Sequence, residues 1–376
     1  MKFPLILFFA VVMLTANAQP KTATIYVGTY SQRGSEGVYI LSFDTATGAL
    51  KQIGVGKNDK SPSFLALHPT GKFLYTANEA TDAGGKRTSA TAAYARDPKT
   101  GQLQFLNEKP TFGQNSCHVS IDKTGRWAII SNYSGGNLVV YGLNPDGSLG
   151  AVADTISYVG KGPNPKRQEG SHVHSATFSP DSRFLYVANL GTDKIYCYEL
   201  NTQTGKLKPL SVPSVSVQPG AGPRHLAIHP NGRFAYLVEE LISSVAAFSR
   251  DPKTGVLTLI QDAVPGLPAD FTAQNSSADI HISPDGKFLY ESQRGLNALS
   301  IFAIGADGKL TVAGHQPVLG ETPRNFMIDP SGAFVLVANQ TTDNITVFRR
   351  DAKTGKLTDT GYSAKVPAPV CVIWGN

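Results

Sequence analysis

With 376 residues, 41% of them hydrophobic and 16% charged, the chain has ample apolar material for a packed core. Its net charge of +6 comes without a long Lys/Arg run or a basic helix, which argues against nucleic acid and suits small anionic ligands. Cys117, Cys197 and Cys371 are the three cysteines, an odd and sparse set that excludes a disulfide framework.

The first element is the segment MKFPLILFFAVVMLTANAQP. A lone Lys2, an apolar run from Leu5 to Leu14 and Ala16-Asn17-Ala18 ahead of Gln19 form the pattern of a cleaved secretory signal, residues 1–18. This implies a periplasmic or secreted mature protein, residues 19–376. The run is shorter than the about 20 residues a spanning helix needs, and no later segment approaches that length, so no membrane span is expected.

From there the chain repeats itself. An apolar run, a turn and a second apolar run recur as FLALHPTGKFLYTANE, HVSIDKTGRWAIISNY, SATFSPDSRFLYVANL, HLAIHPNGRFAYLVEE, DIHISPDGKFLYESQR and NFMIDPSGAFVLVANQ. A second Gly turn recurs seven times and ends at Leu50, Leu103, Leu149, Leu207, Leu257, Leu310 and Leu357, at intervals of 53, 46, 58, 50, 53 and 47 residues. That period belongs to a four-stranded propeller blade, slightly longer than the about 40–45 residues of a WD40 unit. Six hairpins and seven turns reconcile if TIYVGTY and GVYILSF are middle strands whose missing inner partner is the C-terminal APVCVIW. The expected fold is therefore all-β, a seven-bladed β-propeller of four-stranded antiparallel blades. Its ring is closed by N- and C-terminal strands in one blade, which removes the open edge.

In such blades the start of the inner strand and the end of the second strand meet at one rim of the channel. Six residues before the turn proline (or Lys123) stand Ser63, Cys117, His174, Arg224, Ala278 and Arg324; the next column holds Phe64, His118, Ser175, His225, Asp279 and Asn325. The second strands end in Glu79, Tyr133, Leu190, Glu240, Arg294 and Gln340, preceded by Asn78, Asn132, Asn189, Glu239, Gln293 and Asn339. The amide column suits backbone bonding where a strand turns into a loop. One rim is thus expected to gather His118, His174, Arg224, His225, Glu240, Arg294 and Arg324, with Glu79 and Tyr133 beside them. Blade-end ion pairs account for part of this set. The surplus of Arg over Glu points further, to an anionic ligand held by guanidinium forks. The Gly/Pro-rich loop GKGPNPKRQEG, residues 160–170, is placed on the same rim, where Lys161, Lys166 and Arg167 either screen an anion or stand in solvent.

Other chemistries lack their residues. There is no Gly-x-Ser-x-Gly elbow, no Walker or dinucleotide-binding glycine fingerprint and no Cys cluster, so no cofactor is expected. His172 and His174 alternate to one strand face and could hold zinc, but spacing fixes no third ligand, so no metal is expected either.

The segments CHVSID, NYSGGNLVVY, HVHSATFSPDSRFLYVANLGTDKI, GPRHLAIHPNGRFAYLVEE, SQRG and PRNFMIDPSGAFVLVANQ make the chain resemble the seven-bladed propeller lactonases. That family includes the propeller type of bacterial 6-phosphogluconolactonase and is related to the fungal 3-carboxymuconate lactonizing enzyme. The resemblance spans essentially the whole mature chain. It implies a lactone-hydrolysing enzyme acting on a small anionic lactone or sugar acid, with a catalytic His, two Arg and a Glu at the channel mouth. By repeat position those roles fall on His174 (or His172), Arg224, Glu240 and Arg294, with Glu79, His118, Tyr133, His172, His225 and Arg324 as substrate-binding candidates. Either Glu240 or His174 is the expected base for water, and the arginines are the expected oxyanion and carboxylate or phosphate partners. A lactonizing cycloisomerase, or a propeller that binds a glycan or protein without turnover, is the competing expectation.

Overall fold

The computed structural model describes residues 22–81 and 87–375. The expected signal segment, residues 1–18, lies outside them. Seven sheets of four antiparallel strands form a ring. Six of them run in chain order from an inner strand a to an outer strand d. The seventh is composite, in the order Pro369–Trp374, Thr22–Thr29, Gly37–Asp44, Leu50–Lys57. Ile25 pairs with Trp374 and Tyr26 with Ile373, so the two ends of the chain close the ring as the repeat count requires.

The apolar runs are continuous in the middle strands because neighbouring blades cover both of their faces. Phe184–Asn189 is buried at every position, whereas the outer strand Leu207–Ser216 of the same blade is mostly exposed. The cores lie between blades, where two sheets pack face to face. Phe184, Tyr186 and Ala188 meet Leu226, Leu237 and Phe248 of the next blade in this way. A polar latch recurs at the same interfaces. Tyr75, Tyr186, Tyr236 and Tyr290 donate their buried hydroxyls to the carbonyls of Gly147, Gly255, Gly308 and Gly355 in the next blade's outer turn. Gly308 has φ +82°, and a Cβ there would stand 2.3 Å from the Phe234 ring, so the latch needs glycine.

In the amide column Asn132, Asn189 and Asn339 bond backbone as expected, whereas Asn78 and Gln293 bond other side chains. Asn132 donates to Thr111 O and accepts from Ser116, Asn189 accepts from His172 N, and Gln293 accepts from Ser277, each tying a strand end to the loop entering the same blade.

Each inner strand carries a β-bulge at one place, where two of its residues oppose one on strand b. The bulged pairs are Ser63–Phe64, Cys117–His118, His174–Ser175, Arg224–His225, Ala278–Asp279, Arg324–Asn325 and Val370–Cys371. A bulge re-aims side chains, and here it divides two neighbouring columns between two cavities. Cys117, His174 and Arg324 line an upper cavity of about 250 Å3. Phe64, His118, His225, Asp279, Asn325 and Cys371 line a lower one of about 490 Å3. A third space of only about 10 Å3 shares Cys117 and Arg324 with the first and Phe64, His225 and Asn325 with the second.

Candidate active site

The upper cavity is walled by Tyr30, Glu79, Asn115, Cys117, Tyr133, Arg167, His174, Glu240, Arg294 and Arg324, drawn from the inner-strand bulges, the ends of the second strands and one long loop. Its centre of charge is Glu240, whose side chain is only 3% exposed. Arg167 Nη2 donates to Glu240 Oε1 at 2.6 Å, and Arg294 Nη2 lies 3.1 Å from the same oxygen. Arg224 Nε stands 3.1 Å from Oε2, an ion-pair distance without hydrogen-bond alignment. His174 Nε2 is 3.8 Å from Oε2. Burial pushes the Glu240 pKa up, but Arg294, Arg224 and Arg167 outweigh it and hold the carboxyl at about 2.

Burial together with the same positive charge keeps His174 neutral. Burial first, then Arg224, His225 and Arg324, pulls its imidazole well below 6.5. Arg224 is likewise drawn down to about 9 by burial, Arg324 and Arg294, and remains charged at neutral pH. Arg324 faces no carboxylate at ion-pair distance among the described residues. It lies 5.4 Å over the Tyr30 ring, and although burial opposes its charge, Tyr30, Glu79 and Glu240 favour it. One guanidinium of the cavity is therefore uncommitted, while three share one carboxylate.

The expected residues separate into three groups. Glu79, Tyr133, His174, Glu240, Arg294 and Arg324 line one cavity, and Arg224 stands behind Glu240. His118 and His225 belong to the second residue of their bulges and line the lower cavity instead, where His225 Nδ1 is 2.7 Å from Asp279. The single rim expected for all of them is thus divided between two cavities. His172 and His174 both pack against the Tyr133 ring, but of the two only His174 lines the cavity. The His172 ring stacks on Tyr133 at 4.4 Å and 11°, its Nδ1 is 3.1 Å from Tyr133 O, and its Nε2 is 3.2 Å from Glu169. It backs the cavity wall, and His174 faces the cavity. Among the described residues no group of three or more His, Cys, Asp or Glu is placed to hold a metal.

Sequence reasoning passed over Tyr30 and Asn115 and left Arg167 undecided between ligand and solvent. Tyr30 follows a strand with no hairpin ahead of it, so it stands in no aligned column. Arg167 sits in a loop, where no repeat marks it. Its position is fixed by Gln168, fully buried, whose amide donates to Leu190 O and Asp193. Cys117 lines the cavity as a thiol, pushed up to about 12 chiefly by burial.

The profile of the family described as "Lactonase, 7-bladed beta-propeller" matches residues 24–374. Among curated proteins, the 6-phosphogluconolactonase of Bacillus subtilis is 36% identical over 352 residues, covering 92% of this chain and 97% of that one. Among solved structures, a putative 6-phosphogluconolactonase from Bacteroides fragilis superposes with a TM-score of 0.87 at 36% identity, covering 94% of this chain and 98% of that one. The periplasmic gluconolactonase of Pseudomonas aeruginosa does so with a TM-score of 0.87 at 33% identity, covering 94% and 99%. By profile, by sequence along nearly its whole length and by structure, the chain belongs to the lactonase family of seven-bladed β-propellers.

Proposed function

We propose that this protein is an exported lactonase, a carboxylic-ester hydrolase that opens a sugar lactone in the manner of the 6-phosphogluconolactonases, at the channel mouth around Glu240 and His174. The observation that carries the reading is a neutral imidazole beside an arginine cluster in a cavity of about 250 Å3. The names of the relatives, 6-phosphogluconolactonase and periplasmic gluconolactonase, support the substrate class. The latter name and the sequence of residues 1–18 support export, with residues 19–376 as the mature domain.

Lactone hydrolysis needs a base for water, positive charge where the carbonyl oxygen becomes an oxyanion, and a proton for the ring oxygen that leaves. With its pKa at about 2, Glu240 is a poor base, and its chemistry is that of a keystone that orients Arg167, Arg224 and Arg294. Its oxygens are engaged by three guanidiniums, so the role of base falls to His174, which lines the same cavity. His174 takes a proton from water as the water oxygen bonds to the carbonyl carbon. Arg294 and Arg324 meet the oxyanion and the anionic or hydroxyl groups of the sugar. Collapse of the tetrahedral intermediate breaks the ring C–O bond, and the imidazolium returns its proton to the departing alkoxide.

The test is hydrolysis of 6-phosphogluconolactone and gluconolactone by the mature protein, with His174→Gln as control. His174 is preferred to Glu240 for the control because removing Glu240 would leave buried guanidiniums uncompensated. The expected result is turnover of at least one lactone with uptake of water into the product, and a loss of about 100-fold or more in His174→Gln at an unchanged melting temperature. Absence of turnover on both would sink the lactonase reading in favour of a binding propeller, and products without added water would favour a cycloisomerase. N-terminal sequencing of the exported protein should begin at Gln19.

A further inference from the structure

The two longest connections that enter inner strands are residues 158–172 and 266–276. Long loops on a rigid scaffold are where binding specificity concentrates, and residues of these two border a second cavity that is widely open to solvent. It measures about 470 Å3, within the about 300–1,000 Å3 of small-ligand sites, and is lined by Arg167, Arg294, Gln274, Asn275, Ser276 and Thr322 together with Gly295. Arg167 and Arg294 line the upper channel cavity as well, so the two spaces meet at these guanidiniums.

The lining of this second cavity is neutral and polar apart from its shared arginines. Among the described residues no aromatic or aliphatic side chain and no carboxylate lines it. Its floor is fixed. Asn275 Oδ1 accepts from Gly295 N and Leu296 N, its amide donates to Ser243 and Gln293, and Arg294 donates to Ser276 O and Ser277 O. Gly295 permits the close approach, since a Cβ there would stand 2.0 Å from Gln274 O. Above that floor the Gln274 side chain is exposed and makes no hydrogen bond with any described residue. The partition is more exposed. The Arg167 side chain is 40% exposed, and Glu240 is paired with Arg224 and Arg294 as well as with Arg167.

We infer that this cavity is a second subsite of the lactone site, taking an uncharged glycosyl substituent of an aldonolactone, and that Arg167 is the specificity-determining partition between the two. The inference rests on the lactonase reading for the ring that occupies the first cavity. A disaccharide lactone then lies across Arg167, with its lactone ring beside His174 and its second sugar against Gln274 and Ser276. Gluconolactone fills the first cavity only.

The experiment compares gluconolactone with lactobionolactone, which carries a galactosyl group on the same ring, in hydrolysis. It also compares gluconate, lactobionate and 6-phosphogluconate in calorimetric binding, which requires no turnover. Gln274→Trp fills the subsite without touching the first cavity, and Arg167→Ser removes the partition. Wild type is expected to bind lactobionate at least 10-fold more tightly than gluconate. Gln274→Trp should abolish that difference and leave gluconolactone hydrolysis unchanged. Arg167→Ser should raise the lactobionolactone to gluconolactone ratio of kcat/KM by 10-fold or more, even as it weakens both reactions. Equal binding of lactobionate and gluconate, or a preference that Gln274→Trp leaves intact, would overturn the inference. So would 6-phosphogluconate as the one ligand whose binding Gln274→Trp weakens, because the subsite would then serve an anion. Failure to hydrolyse either lactone would count against the lactonase reading, and the calorimetry would still decide the subsite.

Discussion

Glu240 and His174 lie 3.8 Å apart, and the positive charge around them acts on the two in the same direction, favouring a carboxylate and disfavouring an imidazolium. The consequence is a pH profile. A base-catalysed kcat/KM falls as pH drops through the pKa of the base, and a pKa depressed well below 6.5 moves that fall toward acid. Hydrolysis of gluconolactone, corrected for the spontaneous rate, should therefore stay flat from pH 7 down to about 5.5. An inflection near 6.5 or above would show that the base is another group or that His174 is not desolvated. The residues behind this balance were legible to different degrees. Glu240 and Arg294 stood out as charged residues at the strand-end position that other blades fill with Tyr133, Leu190 and Gln340. Separation of His174 from His225 and His118 was not legible, since it depends on a bulge that sequence alternation does not reveal. Arg167 needed the tertiary anchor of Gln168 to be placed at all.

At the scale of the elements, the blades were legible because each apolar run is a strand covered on both faces, and the turn residues punctuate it at a constant period. The interfaces between blades were less so. Glu239 stands where five other blades place Asn or Gln, and Glu291 follows it in the next blade, both fully buried. Burial pushes Glu239 up to about 7. Burial, with Glu239 adding to it, pushes Glu291 up to about 8. A carboxyl whose folded pKa is raised binds its proton more tightly in the native state than in the unfolded chain, where it titrates near 4.5. Its contribution is complete below about pH 4.5 and is lost as pH rises through about 7 to 8. The melting temperature should decline by several degrees between pH 6 and pH 9, and Glu291→Gln, which keeps the shape and cannot ionise, should flatten much of that decline. A scan in which wild type and Glu291→Gln fall in parallel would show that the interface does not hold the proton.

For the whole molecule, the closing blade decides whether seven sheets behave as one folding unit. Pro369–Trp374 is the inner strand of that blade and is laid down last, against Thr22–Thr29 from the other end of the chain. Val370 and Val372 are 2% exposed and Cys371 is fully buried, so this strand is core as well as clasp. Each such apolar side chain contributes about 1.5–3 kcal/mol, and three of them together are comparable to much of the about 5–15 kcal/mol net stability of a folded domain. Its loss would also leave Thr22–Thr29 an unpaired edge facing the channel, and Asn325 without the Val372 N–H that donates to it. Truncation after Lys365 should therefore abolish the single cooperative melting transition and produce aggregation in size-exclusion chromatography. Val372→Ala should instead lower the melting temperature by a few degrees with cooperativity retained. A truncated protein that melts as sharply as wild type, within about 2 °C of it, would mean that the blades are stabilised by their neighbours alone and that ring closure adds little.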